Sequence, residues 1–278
     1  MGRMTQRVKV TTYSANAPAR SVQDVLAAEE PLEIRVNGRS LSITMRTPGD
    51  DFDLVAGFLV SEGIIGHQEQ LATMRFCAGE DESGLQTYNV IDAELAPGVE
   101  PPSRNLHRQV ITSSACGICG TASIDAVTRS SRYTLSLDEV RLDVGTLLGL
   151  PDILLANQKL FDRTGGVHAA GLFSSGGDLL CLREDVGRHN AVDKVIGWAL
   201  REDLLPLSGT VLQVSGRASF ELVQKAFLAG IPVLSAVSAP SSLAVALAEA
   251  SGLTLAGFSR GARVNVYTHQ ERITSGGH

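Results

Sequence analysis

At 278 residues, with 44% hydrophobic and 19% charged side chains, the chain can bury one large core or two ordinary ones and reads as globular rather than disordered. A net charge of −6 argues against a general nucleic-acid binder, and no apolar run approaches the roughly 20 residues that a membrane-spanning helix needs. Four cysteines are too few for a disulfide scaffold, and residues 1–14 lack the apolar core of a secretory signal, so a reducing, cytoplasmic setting is expected.

In chain order, residues 1 to about 30 show no clear period and are expected as a partly ordered lead-in. The first firm element is a hairpin. Leu32, Ile34 and Val36 alternate with Glu33 and Arg35, Asn37-Gly38 turns the chain, and Leu41, Ile43 and Met45 alternate again. A helix is expected to open at Thr47-Pro48-Gly49-Asp50-Asp51 and run to about Ser61, because Phe52, Val55, Ala56 and Leu59 recur at helical spacing and Gly63 follows. Strand-like runs follow near Met74–Cys77, Tyr88–Leu95 and Gln109–Thr112, with a short helix over 121–128. Residues 1–130 therefore read as a small α+β domain, mostly antiparallel.

Beyond residue 130 the pattern changes. A helix is expected over Ile153–Phe161 and a hairpin over Val167–Phe173 and Leu179–Arg183. Helices at 189–200, 219–229 and 241–250 then alternate with short apolar strands at 210–214, 233–237, 254–258 and 263–268. Short β-branched strands between ten-residue helices indicate, over residues 131–278, an α/β layer structure with its sheet covered on both faces.

One feature calls for chemistry: Cys116-Gly117-Ile118-Cys119-Gly120. It lies between an expected strand and an expected helix, with glycines that let the backbone present both sulfurs. The N-terminus of the downstream helix would stabilise a thiolate. Three chemistries fit such a pair. It is half of a zinc site, but no second C-x-x-C supplies the other ligands. It is a dithiol oxidoreductase, or it is a carrier in which one thiolate takes up sulfane sulfur and the other assists its release. Cys77 and Cys181 lie in strand-like runs, where a buried thiol is the ordinary state.

Eight segments in order carry a family resemblance: residues 45–51, 57–64, 116–120, 164–170, 184–194, 215–217, 221–226 and 258–263. Over nearly its whole length the chain resembles the FdhD family of formate dehydrogenase accessory sulfurtransferases. The resemblance implies an enzyme that accepts sulfur from a cysteine desulfurase as a persulfide. It would pass that sulfur to the bis-guanine-dinucleotide molybdenum cofactor, bound as substrate, before insertion into formate dehydrogenase. On that basis Cys116 is the persulfide carrier, Cys119 its supporting partner, and Phe258-Ser259-Arg260-Gly261-Ala262-Arg263 the cofactor-binding stretch. A cytidine-deaminase-like fold for the C-terminal part and a homodimer are also implied. The deaminase zinc ligands are missing, since His168-Ala169-Ala170 has no glutamate and Ser215-Gly216-Arg217 no cysteine, so no metal is expected. The alternatives are a cofactor-delivering chaperone without catalysis, or a redox or zinc protein.

The other motif residues divide between structure and ligand contact. His189 and Asp193 are four apart on one expected helix, with Asp185 just before it, which suits either a ligand-facing imidazole or a satisfied surface pair. His168 is equally open to both. Lys194 would suit a phosphate, although a lone helix lysine is usually solvated.

Overall fold

The computed structural model describes residues 3–77, 79–80, 86–101, 124 and 131–275. The chain opens with two long antiparallel strands, β1 (Thr5–Ser14) and β2 (Ala17–Ala27), where no element was expected. The ribbon was hidden because neither of its faces is buried: most of its residues are exposed, including Tyr13 near the turn, and none is fully buried. Without a covered face there is no apolar alternation to read. The expected hairpin follows as β3 (Glu30–Val36) and β4 (Arg39–Arg46). Its turn residues Asn37 and Gly38 both have positive φ, 49° and 75°, which matches the right-handed twist of the flanking strands.

Helix α1 (Asp51–Ser61) stands where the spacing put it. The chain then adds β5 (Leu71–Phe76), a two-residue pair β6 (Gly79–Glu80) with β7 (Gln86–Thr87), and β8 (Val90–Leu95). Strands β4, β3, β8 and β5 form a four-stranded sheet in that order, in which β3 and β8 are parallel. The expected strand Gln109–Thr112 and most of the helix over 121–128 lie outside the described residues, as do Cys116 and Cys119.

After the short β9 (Leu142–Asp143), helix α2 runs from Val144 to Asn157 and α3 from Lys159 to Thr164. The sequence suggested one helix beginning at Ile153. The difference lies at Pro151, which sits inside α2 without ending it. The Asp143 carboxylate caps α2 by accepting from the Thr146 N–H at 3.1 Å. Then come β10 (His168–Ser174), β11 (Leu179–Asp185), α4 (Arg188–Arg201), β12 (Thr210–Val214), α5 (Phe220–Leu228), β13 (Val233–Ala236), α6 (Ser242–Ser251), β14 (Thr254–Arg260) and β15 (Arg263–Thr268). A final β16 (Ile273–Thr274) pairs with β9.

Six of these strands form one mixed sheet, in the order β11-β10-β12-β13-β14-β15. Strands β12, β13 and β14 are parallel, β10 and β15 on either side run antiparallel to them, and the edge strand β11 runs in the same direction as β12. Each strand sends alternate residues to opposite faces. Ala169, Phe173, Val211, Val233 and Ala256 meet Leu147, Leu150 and Leu154 of α2. Ala170, Leu172, Leu212, Leu234 and Leu255 join the core built with α4, α5 and α6. That second core does not stop at α4. It continues through Leu54, Val55 and Leu59 of α1 to Leu32, Ile34 and Ile91 of the four-stranded sheet.

Helices α1 and α4 meet backbone to backbone. A Cβ on Gly57 would fall on the carbonyl oxygen of Asp193, and one on Gly197 on the carbonyl oxygen of Asp53. Only glycine fits at either place.

Candidate functional site

The parallel run β12-β13-β14 points its carboxyl ends at one edge of the large sheet, where ligands of open α/β sheets characteristically bind. The antiparallel neighbours bring their opposite ends to that edge. Collected there are His168 at the start of β10, the 185–188 turn into α4, the 215–217 turn after β12, the 237–240 turn after β13, and residues 258–263 of the β14–β15 hairpin. Backbone hydrogen bonds link the turns in a row. Ser238 N–H donates to the carbonyl of Gly216 at 3.3 Å, and Phe258 N–H donates to the carbonyl of Ser238 at 3.2 Å.

Residues 258–263 are a bulged hairpin tip. The register shifts between Gly257 and Arg260, and Phe258 has φ 53°, an uncommon conformation for a bulky side chain. Strain of this kind concentrates at ligand sites. Gly261 turns the chain at φ 57°, which places Arg260 directly across from Arg263, both exposed. Like charges in register repel, so the pair is an arrangement that an anion between them would relieve. Ser259 is fully buried, and its hydroxyl has no hydrogen-bond partner among the described residues.

At the other end of the row, His168 lies beside Gly216 and Arg188: a Cβ on Gly216 would stand 3.5 Å from His168 Nδ1 and 3.8 Å from Arg188 Cδ. Burial, and then the charges of Arg188 and His189, lower the basicity of His168. His189 Nε2 is 3.2 Å from Ser219 Oγ and 3.6 Å from a Glu221 carboxylate oxygen. That contact holds the Glu221 carboxyl down at about 2.

Other motif residues turn inward. Lys194 is neither solvated nor open to a ligand: it is 1% exposed, with its ammonium 2.7 Å from the fully buried Asp185 and donating to the Thr47 carbonyl at 2.9 Å. Asp185 also accepts from the Thr47 N–H, the Gly187 N–H and the Asn190 side chain. Asp193 does not pair with His189. It accepts from Lys225 at 2.8 Å and from the Ser61 hydroxyl at 2.6 Å. Arg46, also 1% exposed, donates to Asp51 at 2.9 Å and to Asn89 at 3.2 Å. Three of the eight motifs, 45–51, 57–64 and 184–194, thus form a polar staple between the first 100 residues and the large sheet. Among the described residues no three of His, Cys, Asp and Glu converge as a metal site requires. None of the described helices is long and apolar enough to cross a membrane.

The residue that sequence reasoning passed over is Arg188. It sits inside a quoted motif without a role, and only the fold shows that it faces His168 and Gly216. Cys181 is buried and Cys77 half-buried.

Residues 27–274 match the model of the FdhD/NarQ family. The chain belongs to that family. Among FdhD relatives, it is 59% identical to "Sulfur carrier protein FdhD" of Streptomyces avermitilis over 274 residues, which cover 98% of this chain and 97% of that one. It is 54% identical to the protein of the same description from Mycobacterium tuberculosis over 277 residues, covering 99% and 100% of the two chains. Among solved structures it resembles that of a candidate formate dehydrogenase accessory protein from Desulfotalea psychrophila. There the TM-score is 0.75 at 26% identity, over 98% of this chain and 100% of that one. The match spans the mixed α/β architecture described above. Residues 3–26, which hold nearly all of the β1–β2 ribbon, precede the stretch matched by the FdhD/NarQ model.

Proposed function

We propose that this protein carries sulfur as a persulfide on Cys116 and delivers it to the bis-guanine-dinucleotide molybdenum cofactor of a formate dehydrogenase. The observation that carries the reading is near-full-length identity of 54–59% to proteins described as sulfur carriers. The Cys116-x-x-Cys119 pair is the sequence's one evident thiol device. In loading, the Cys116 thiolate attacks the outer sulfur of a desulfurase persulfide, forms Cys116–S–SH and releases the desulfurase cysteine as thiolate. Attack of the Cys119 thiolate on Cys116 Sγ then expels hydrosulfide and leaves a Cys116–Cys119 disulfide, which gives the second cysteine its supporting role.

The cofactor is cargo, and Phe258–Arg263 suits its nucleotide part. Arg260 and Arg263 in register present two guanidinium groups to phosphate oxygens. The partners are a cysteine desulfurase as donor and a formate dehydrogenase as recipient.

The deciding test is intact-protein mass spectrometry after incubation with a cysteine desulfurase and cysteine. A gain of one sulfur that reductant removes and Cys116→Ala abolishes supports the carrier. No gain beside an active desulfurase overturns it in favour of a cofactor-delivering chaperone, in which cysteine variants still activate the target enzyme.

A further inference from the structure

We propose that Arg188 and His168 form a phosphate subsite of the ligand track, at the far end of the strand-end row from Arg260 and Arg263. That the phosphate belongs to a nucleotide rests on the proposed function; that the subsite takes a phosphate does not.

Arg188 makes no ion pair among the described residues, and its Nε is buried without an acceptor. A guanidinium donor shut off from water and left unmatched is costly, and a bound oxyanion removes that cost. The carboxylates nearby are already engaged. Asp185 is fully buried against Lys194 and the Gly187 N–H, and Glu221 is turned to His189. The positive charge of Arg188 is therefore not neutralised from within.

The backbone adds to it. Gly187, the N-cap of α4, has no side chain to cap the helix, and the Ser219 side chain makes no capping bond to α5. The first N–H groups of α4 end at this edge, and helix N-termini favour anions, whereas the start of α5 already has the Glu221 carboxylate. Gly216 stands beside both His168 and Arg188: a Cβ there would lie in ordinary van der Waals contact with the His168 ring and with Arg188 Cδ. An arginine solvated at the surface would not explain a buried Nε.

The subsite lies on the same track as 258–263. Gly216, Ser238 and Phe258 are joined in sequence by the two backbone hydrogen bonds, and the three strand steps from β10 to β14 span roughly 14 Å. That length exceeds a lone phosphate and fits an extended nucleotide held at both ends.

The test titrates the full-length protein with inorganic pyrophosphate and follows the His168 imidazole by NMR. We expect a saturable shift and a rise in the His168 pKa, because a bound dianion favours the imidazolium. Arg188→Gln should weaken pyrophosphate about 10- to 100-fold. Gly216→Val, which adds bulk beside the two side chains without removing either, should do the same, whereas Arg260→Ala should leave the His168 response in place. A His168 signal indifferent to pyrophosphate, or equal affinity in Arg188→Gln, overturns the subsite even if Cys116 loads sulfur. Failure of Cys116 to load with the pyrophosphate response intact sinks the sulfur-carrier reading and leaves the subsite standing.

Discussion

Gly57 and Gly197 are the closest point between the two long elements that join this molecule, each occupying the space over a carbonyl of the other's helix. Neither carbonyl belongs to a flexible side chain, so an added methyl group can be accommodated only by moving α1 off α4. Gly57→Ala and Gly197→Ala should each destabilise the protein by about 3 kcal/mol, the upper end of overpacking costs. Urea unfolding measures this directly, and a loss within experimental error of zero would mean that the helices are free to separate.

The Lys194–Asp185 pair is buried on both sides. Lys194→Met removes the cation and leaves Asp185 charged in an apolar interior, which costs about 3–5 kcal/mol. Adding Asp185→Asn should recover a part of that loss, since the stranded charge is then gone. A double variant less stable than Lys194→Met alone would show that the backbone donors to Asp185 matter more than its ammonium partner.

His168 gives the stability a pH dependence of defined sign. Its folded pKa lies below the ordinary 6.5. Its contribution is therefore fully present above the unfolded value and is lost as pH falls below it, because the unfolded state then binds more protons. Wild type should lose stability from about pH 7 to about pH 5. His168→Asn should lack that part of the slope, while the acid limb at lower pH, governed by carboxylates such as Glu221, remains. Unfolding free energies in urea at a series of pH values provide the comparison.

Burial pushes the Cys181 thiol up to about 12. It should resist alkylation by iodoacetamide at neutral pH in the native protein and react once urea unfolds the chain. Peptide mass mapping before and after unfolding distinguishes it from a carrier cysteine, and labelling of native Cys181 would contradict its burial in β11.

The legible parts of the fold were those written in local chemistry. Asn37-Gly38 announced its hairpin because only residues tolerant of positive φ fit there. The β12–β15 strands announced themselves as short apolar runs between helices. What stayed hidden was non-local or had no covered face. Lys194 reaches a carbonyl 147 residues away, so nothing in its own helix could show that it is buried. His189 and Asp193, neighbours by helical spacing, each found a partner on α5 or α1 instead. The stretch 258–263 was singled out only by family resemblance; its positive-φ Phe258 and its neighbours in the row required the three-dimensional sheet.

One hydrophobic core running from Leu32 through α1 to Leu255 has a consequence for fragments of this chain. A cut between residues 101 and 131 would not release two independent pieces. The N-terminal piece would keep α1 seated in the groove that Gly197 leaves open, and the C-terminal piece would keep Lys225 and Lys194 matched to Asp193, Asp185 and Thr47. The pair would behave as a complementing, non-covalent heterodimer, held together across the cut by that one core.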